Sequence, residues 1–367
     1  MTDMRGLFGG IYAGRRVMVT GHTGFKGSWL ALWLSEMGAE VAGYSLPAPT
    51  DPSHWNLLGL PVAETVCDIR DVAELEAAFA AFRPEVVFHL AAQPLVRESY
   101  RIPADTYSVN VVGSVNVYEA CRKAGSVEAV VSITTDKVYR NREWEWGYRE
   151  NDPFGGFDPY SASKACAEIA TESYRDSFWP IASHGTSHHT LIATARAGNV
   201  VGGGDWAADR LVPDLMRAAA RGEVATIRNP DSTRPWQHVL EPLSGYLLLG
   251  RRLLEGGTRF AEGWNLGPAD DGVVQVRTVV DRMARTWDAI RTEFKPDRSA
   301  PHEAMLLKLD CSKAKERLGW KPVWNGLETV EATTAWYRAW IESREVRSRG
   351  DIARYVQRAR LVGLEGL

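Results

Sequence analysis

The chain has 367 residues, 45% of them apolar and 24% charged, which is typical of a globular protein with a large buried core. Its 43 basic and 46 acidic residues are spread along the chain and give a net charge of -3, which argues against nucleic acid as a partner. The four cysteines lack a CxxC pair, and no signal core or bilayer-spanning apolar run is present, so we expect a cytoplasmic protein without a membrane partner.

The first half of the chain alternates short β-branched apolar runs with longer helix-like stretches. This alternation is typical of strands buried between two layers of helices, and it predicts an α/β fold with a Rossmann-like, doubly wound parallel sheet. The predicted strands are Arg16–Thr20, Glu40–Tyr44, a strand beginning near Thr65, Val86–Leu90, Ala129–Thr134 and Leu191–Arg196. The predicted helices are Phe25–Met37, Val72–Phe82, Thr106–Ala124 and Tyr160–Ser177.

The second half of the chain has a different character. After Asn199 it is rich in Gly, Pro and Trp, with isolated helical stretches at Val212–Arg221 and Pro242–Leu254, so the sheet is expected to end there. We therefore predict a sheet domain over residues 1–198, with segments that return to it, and a smaller, irregular C-terminal lobe over residues 199–341. Residues 342–367 are expected to form a terminal helix or tail. A cleft for a ligand is predicted between the sheet and the lobe.

A glycine-rich turn joins the first predicted strand to the first predicted helix. In this context, glycines spaced by three allow a tight turn, bring backbone N–H groups to a pyrophosphate and let helix and strand pack closely. A turn without a ligand is the alternative, and the strand, turn and helix order makes it the less favoured one. We therefore assign a dinucleotide cofactor to the whole loop, Gly21, His22, Thr23, Gly24, Phe25, Lys26 and Gly27.

Tyr160 and Lys164 are four residues apart and therefore share one face of a predicted helix. A nearby ammonium favours the phenolate, so Tyr160 is a candidate base for a hydroxyl proton. Such a pair often arises by chance and serves only packing. The glycine loop upstream, Pro159 at the start of the helix and a hydroxyl at Thr135 after a strand favour the catalytic interpretation.

The glycine spacing GxxGxxG and the set of Thr135, Tyr160 and Lys164 resemble the extended short-chain dehydrogenase/reductase superfamily. Neither an acid nor an arginine follows the second strand at Gly43–Leu46, so the residues themselves leave NAD and NADP open. The resemblance implies NAD. For Asp68, an acid that begins the next helix is an equally good interpretation. The resemblance implies that the glycine loop binds the cofactor together with Asp68, Ile69, Leu90, Ala91, Ala92, Thr134, Tyr160 and Lys164.

Asp136 and Lys137, directly after Thr135, distinguish subgroups of the superfamily. Oxidation of a sugar carbon acidifies the neighbouring C–H, so an acid and a base at this place can eliminate water from the next carbon. The triplet Thr135-Asp136-Lys137 resembles that of the CDP-glucose dehydratases, whereas dTDP-glucose enzymes carry Thr-Asp-Glu. The similarity extends from about Phe8 to Trp340 and includes Asn141–Glu150, Asp158–Tyr160, Arg196–Trp206, Arg234–Val239 and Leu309–Lys315.

This resemblance implies a lyase that acts on CDP-glucose. Tyr160 would take the C4 hydroxyl proton, Asp136 would protonate the departing C6 hydroxyl, and Lys137 would either remove the C5 proton or stabilise the enolate. A nucleoside diphosphate sugar calls for Arg and hydrogen-bonding groups. The residues assigned to the substrate are Gln93, Arg97, Asn199, Arg234 and His238; for Arg97 a solvated helix face is an equal alternative.

Two other enzyme and protein classes share parts of this pattern. A nucleotide-sugar 4-epimerase needs the same Thr, Tyr and Lys but has no need for Asp136 and Lys137, and a non-catalytic NAD-binding regulator usually lacks the Tyr or the Lys. By analogy with the superfamily, we expect a homodimer with a four-helix interface formed by Thr106–Ala124 and Tyr160–Ser177. No metal site is predicted, because His184, His188 and His189 lie in a Ser- and Gly-rich loop without carboxylates or cysteines.

Overall fold

The computed structural model describes residues 4–269, 272–295 and 306–367. Its strands, in chain order, are β1 (Arg16–Thr20), β2 (Glu40–Ser45), β3 (Ala63–Val66), β4 (Val86–His89), β5 (Ala129–Ile133), β6 (Leu191–Ala197), β7 (Val200–Val201), β8 (Val224–Ile227), β9 (Thr233–Pro235), β10 (Gln237–His238), β11 (Gly263–Leu266), β12 (Val273–Gln275) and β13 (Arg291–Phe294).

The α-helices are α1 (Phe25–Glu36), α2 (His54–Leu58), α3 (Val72–Phe82), α4 (Val96–Arg101), α5 (Pro103–Tyr107), α6 (Gly113–Ala124), α7 (Pro159–Phe178), α8 (Leu211–Arg221), α9 (Leu240–Leu254), α10 (Val276–Thr286), α11 (Gly326–Ser343) and α12 (Ser348–Val362). A π-helical turn, Ser108–Val112, joins α5 to α6, so the helix predicted over Thr106–Ala124 is part of a longer helical stretch. Among the described helices, none is both long enough and apolar enough to cross a bilayer.

A seven-stranded sheet forms the centre of the fold, in the order β11-β6-β5-β4-β1-β2-β3. Its paired strands are all parallel, which confirms the predicted doubly wound α/β fold. The expectation that the sheet ends before Asn199 is wrong. Strand β11 returns from the second half of the chain and pairs with β6, Gly263 opposite Thr194 and Leu266 opposite Ala197. A four-residue strand among Gly- and Trp-rich segments has too little periodicity to be seen in the sequence.

Helices cover both faces of the sheet because its central strands are buried on both sides. All residues of β4, β5 and β6 are buried, as expected for the interior of a parallel sheet. One face packs against α3 and α6, whose Phe79 and Tyr118 lie in a buried cluster. The other face packs against α1 and α9, so a helix from the second half of the chain completes the core of the first half.

The C-terminal helix α12 also belongs to this core. Ile352, Tyr355 and Val356 are fully buried, which agrees with the amphipathic pattern of the tail. Ser348, at the start of α12, is hydrogen-bonded to His54 at 2.7 Å, and the other nitrogen of His54 is 2.7 Å from the hydroxyl of Ser28 in α1. Through His54, α12 therefore supports α1, the helix that follows the glycine loop.

Candidate active site

The glycine loop crosses from β1 to α1 directly over the end of β4. Gly21 has a φ of 76°, and a Cβ on it would lie 2.7 Å from the backbone nitrogen of Ala91. A Cβ on Gly27 would lie 2.1 Å from the carbonyl oxygen of Gly21. Both positions therefore require glycine. At Gly24 the nearest such atom is 3.3 Å away, so the backbone at the N-terminus of α1 is open to a ligand.

The polar side chains of the loop face into the protein. His22 is fully buried and its Nε2 lies 2.8 Å from Oε2 of Glu64. Burial lowers the pKa of His22, and the carboxylate of Glu64 opposes that effect. The hydroxyl of Thr23 lies 2.8 Å from that of Ser45 in β2. These side chains anchor the loop, so its backbone is the part that can contact a pyrophosphate.

The structure brings the predicted catalytic residues together where β5 ends and α7 begins. Asp158 caps α7 by accepting a hydrogen bond from the backbone of Ser161 at 2.9 Å. Lys164, one turn into the helix, donates to the carbonyl oxygen of Ile133 at 2.8 Å. Tyr160 is hydrogen-bonded to Thr135. The phenol, the ammonium group and the threonine hydroxyl thus meet at the end of one strand.

Burial and neighbouring charges set the proton affinities of this group. Burial raises the pKa of Tyr160 to about 12, while the hydrogen bond with Thr135 lowers it. Burial lowers the pKa of Lys164 to about 8, against the effect of Glu168. Lys26, in the glycine loop, also has a pKa lowered to about 8, by burial and then by Arg210. The phenol is therefore neutral at rest, and it lies near two carboxylates, Asp136 and Asp158, which raise its pKa, and near Arg210, which lowers it.

Asp136 and Lys137 have different surroundings. Asp136 is 2% exposed; its Oδ1 accepts from the hydroxyl of Thr135 at 3.0 Å, and its Oδ2 lies against Gly198. The ammonium nitrogen of Lys137 is 3.8 Å from Asp136, and 33% of the Lys137 side chain is exposed. The acid is thus enclosed beside Tyr160, whereas the lysine reaches the solvent.

The other residues assigned to the cofactor lie on neighbouring elements. Leu90 and Ala91 donate to the backbone oxygen of Thr20 at 3.0 Å and to its hydroxyl at 3.3 Å, which fixes the end of β4 next to the glycine loop; Ala92 follows. Ile69 is buried against Gly113.

Asp68 does not begin the next helix. Asp71 caps α3 by accepting from the backbone of Glu74, while Asp68 forms an ion pair with Arg70 at 2.6 Å. The hydrogen bond from Arg70 lowers the pKa of Asp68. The helix-capping alternative for Asp68 is therefore wrong, and a contact of Asp68 or Ile69 with adenine stays a prediction.

The predicted substrate residues fall into two groups. Asn199 and Arg234 are both partly exposed; Asn199 lies between β6 and β7 and accepts a backbone hydrogen bond from Gln237 at 3.1 Å, and Arg234 lies on β9. Arg97 forms a half-exposed ion pair with Asp209 at 3.1 Å, which links α4 to the C-terminal lobe. The exposed position of Arg97 on α4 agrees with the solvated helix face, and a contact with the sugar stays a prediction.

The polar atoms of Gln93 are engaged by the protein, whereas His238 has one bonded ring nitrogen and one, Nε2, that is buried without a hydrogen-bond partner. The side-chain amide of Gln93 donates to Thr106 at 3.0 Å and its oxygen accepts from Leu95. His238 is fully buried, lies edge-on to Trp324 at 4.7 Å, and its Nδ1 accepts from the backbone of Leu240 at 3.3 Å. Burial lowers the pKa of His238 to about 3. The placement of Gln93 favours support of the site, and contact of either residue with the substrate stays a prediction.

The loop histidines are distant from this cleft, on the rim of a cavity of about 910 Å³ at the C-terminal ends of α6, α7 and α9. The side chains of His184 and His188 are bonded to carbonyl oxygens. Over residues 4–269, 272–295 and 306–367, the structure contains no group of three or more His, Cys, Asp or Glu that could hold a metal ion.

Comparison with known proteins places this arrangement in a family. The family model described as GDP-mannose 4,6 dehydratase matches residues 18–333. The chain belongs to this family. A CDP-glucose 4,6-dehydratase from Salmonella typhimurium is 50% identical over 94% of this chain and 97% of the relative. A UDP-glucose 4-epimerase from Mycolicibacterium smegmatis is 30% identical over 88% of this chain and 98% of the relative.

Solved structures carry the same fold. The UDP-glucose 4-epimerase of Thermus thermophilus, in complex with NAD, superimposes with a TM-score of 0.75. It is 26% identical, and the match covers 88% of this chain and 99% of that structure. A chain of this dehydratase family therefore shares its fold with an epimerase.

Sequence reasoning missed two charged residues of this dehydratase-family site. Arg210 is 2.8 Å from Asp205, and its charge acts on both Tyr160 and Lys26. No motif marks Arg210, since it comes from a distant part of the chain. Glu168 was detectable, because it continues the four-residue spacing of Tyr160 and Lys164 on α7.

Proposed function

We propose that the chain converts CDP-D-glucose to CDP-4-dehydro-6-deoxy-D-glucose and water, as a carbon–oxygen lyase. A relative with 50% identity over 94% of the chain carries the name CDP-glucose 4,6-dehydratase. The observation that carries the proposal is the enclosed carboxyl group of Asp136, bonded to Thr135 at 3.0 Å beside Tyr160. Dehydration needs an acid at this place, whereas epimerisation at C4 does not.

We infer that NAD is the cofactor. The glycines of the loop fit it, since Gly21 and Gly27 leave no room for a side chain and the N-terminus of α1 is open at Gly24. A relative of the same fold, 26% identical, was solved as a complex with NAD. When bound, NAD would accept hydride from C4 of the sugar and return it to C6.

Tyr160 is assigned as the base that removes the C4 hydroxyl proton. Its pKa of about 12 in the resting structure opposes this task, because burial disfavours the phenolate. Asp136 also raises that pKa, and the neighbouring charge of Arg210 lowers it. Lys164, held at the end of β5, supplies a further positive charge one helical turn away. These cations reduce the free-energy cost of forming the phenolate.

Asp136 and Lys137 are assigned to the elimination. Asp136 protonates the C6 hydroxyl as it leaves. The side chain of Lys137 is one-third exposed, and its nitrogen lies 3.8 Å from Asp136. We assign Lys137 to the C5 proton: in its neutral form it takes this proton, and the ammonium group so formed stabilises the enolate until the C6 hydroxyl leaves.

The C-terminal lobe, residues 199–341, is proposed to bind the nucleotide sugar, and residues 1–198, with β11 returning to their sheet, the cofactor. Asn199 and Arg234 are the proposed pyrophosphate ligands, and Arg210 supplies charge near the sugar. Gln93 and His238 are proposed to support the wall of the pocket from the protein interior.

The deciding experiment uses CDP-glucose deuterated at C4. The purified protein should release water and carry deuterium to C6, detected by mass spectrometry and NMR. An epimer of unchanged mass that retains deuterium at C4 would show a 4-epimerase instead. Absence of turnover with any nucleoside diphosphate glucose would overturn the proposal.

We also propose a homodimer with a four-helix interface, formed by Thr106–Ala124 and Tyr160–Ser177. Val112 and Ile169, on these two stretches, are 53% and 54% exposed, which is high for large apolar side chains.

A cytoplasmic location is inferred from the cysteines, which are free thiols at all four described positions.

A further inference from the structure

Glu168 is a buried carboxylate directly behind the catalytic set. It lies one helical turn beyond Lys164 on α7 and its side chain is 3% exposed. Oε1 accepts from Arg196 at 2.8 Å and from the hydroxyl of Thr134; Oε2 accepts from Arg196 at 2.9 Å and from Thr194 at 2.6 Å. One carboxylate therefore joins the catalytic helix to the ends of β5 and β6.

Arg196 extends these contacts to the loop that connects β5 to α7. Its remaining donor group bonds to the hydroxyl of Tyr139 at 2.6 Å and to the backbone oxygen of Glu150 at 3.1 Å. Tyr139 in turn donates to Asn265 of β11 at 2.7 Å. The ion pair of Glu168 and Arg196 thus links α7, which carries Tyr160, to the loop between β5 and α7.

Stability alone does not explain such a pair. Apolar side chains of similar volume commonly stabilise a buried site as well as an ion pair does, since both charges lose their hydration. We propose that Glu168 is a positioning residue of the reaction: by joining α7 to Thr134 at the end of β5, it holds Lys164 in its hydrogen bond to the neighbouring carbonyl oxygen of Ile133. This inference rests on the proposed function.

The surroundings of Lys164 explain why the charge of Glu168 matters. Burial lowers the pKa of Lys164 to about 8, and Glu168 is the charged group that raises it. From other elements, the cationic Lys26 and the imidazole of His89 face Lys164. His89 is neutral, since burial lowers its pKa to about 3. Without Glu168, two influences on the pKa of Lys164 would remain, burial and the neighbouring cation Lys26, and both lower it.

The test replaces Glu168 by glutamine in the full chain, loaded with NAD. Lysine labelled with ¹³C at Cε allows NMR titration of Lys164, whose signal is assigned by its loss in Lys164→Met. The titration midpoint should fall by about one pH unit or more in Glu168→Gln, because a close opposite charge is lost. With CDP-glucose as substrate, kcat should fall roughly tenfold or more, while KM stays unchanged. The alkaline limb of the pH profile of kcat should move to lower pH.

Glu241→Gln is the matched control, because Glu241 is another fully buried carboxylate. It accepts from the backbone of Val323 and Trp324 at 2.9 and 2.7 Å and from Tyr355 at 2.8 Å. This variant should lower Tm and leave the Lys164 midpoint unchanged. If Glu168→Gln likewise lowers only Tm, with the Lys164 midpoint and the pH profile of the wild type, the positioning role is overturned.

A double variant covers the case in which Glu168→Gln does not fold. Glu168→Gln with Arg196→Met removes both buried charges, and the midpoint of Lys164 must still fall below that of the wild type; an unchanged midpoint would overturn the inference. Wild-type protein without activity on CDP-glucose would refute the proposed function, while the titration would still decide the role of Glu168.

Discussion

Replacing Gly27 by alanine tests the assignment of the glycine loop most directly. The added Cβ would lie 2.1 Å from the carbonyl oxygen of Gly21, where ordinary contact needs at least 3.4 Å, so the loop backbone must move by about 1 Å. Overpacking of this kind costs about 3 kcal/mol when the obstructing atom cannot move aside. For 367 residues the entropy of unfolding is about 0.8 kcal/mol per kelvin, so Tm should fall by roughly 4 °C.

Gly24→Ala is the matched control in the same loop. Its Cβ would have the nearest atom at 3.3 Å, and its φ of -74° suits alanine. Thermal unfolding of the nucleotide-free proteins should therefore show a loss for Gly27→Ala and little change for Gly24→Ala. NAD at about 100 times its Kd should raise the Tm of the wild type by about 3 °C and that of Gly27→Ala by much less. A Gly27→Ala protein with normal Tm and a normal NAD shift would refute the reasoning.

Further predictions concern the reaction and the assembly. Tyr160→Phe should lose at least about 100-fold in kcat yet keep its NAD-induced rise in Tm; unchanged turnover would remove Tyr160 from its role. Asp136→Asn should slow formation of the 6-deoxy product by about 100-fold, as followed by NMR, and an unaltered rate would exclude Asp136 as the acid. Because Lys164 acts as a cation with a pKa of about 8, kcat should fall as the pH rises above about 8; a flat alkaline profile would contradict this. Ile169→Glu should convert the dimer to a monomer in sedimentation, and a persistent dimer would place the interface elsewhere.

Local chemistry accounts for the parts of the site that the sequence predicted. The glycine loop and the pair of Tyr160 and Lys164 depend on turn geometry and on one helical turn, both of which are encoded within a few residues. The same holds for the buried strands of the first half. The helix ends differ from prediction by at most two residues, as expected where caps decide the boundary, except at Thr106, since the helical stretch there begins at Pro103.

Long-range packing accounts for the parts of the fold and of the site that the sequence did not predict. Arg210 acts on Tyr160 from the C-terminal lobe, and β11 joins the sheet from residue 263 onward. His238 lies in a motif that indicated a polar role, yet Trp324 and other aromatic rings surround it. No local pattern records which distant segment closes a pocket or completes a sheet.

The position of β11 in the chain has a consequence for synthesis. Until residues 263–266 leave the ribosome, β6 is the edge of the sheet, and five of its seven residues are apolar, Thr194 and Arg196 being the exceptions. An apolar edge of this kind readily pairs with strands of other chains. The nascent protein therefore has an unpaired, aggregation-prone strand edge while the segment between β6 and β11 is synthesised. Its yield in cells depends on how well that edge is kept from pairing with other chains.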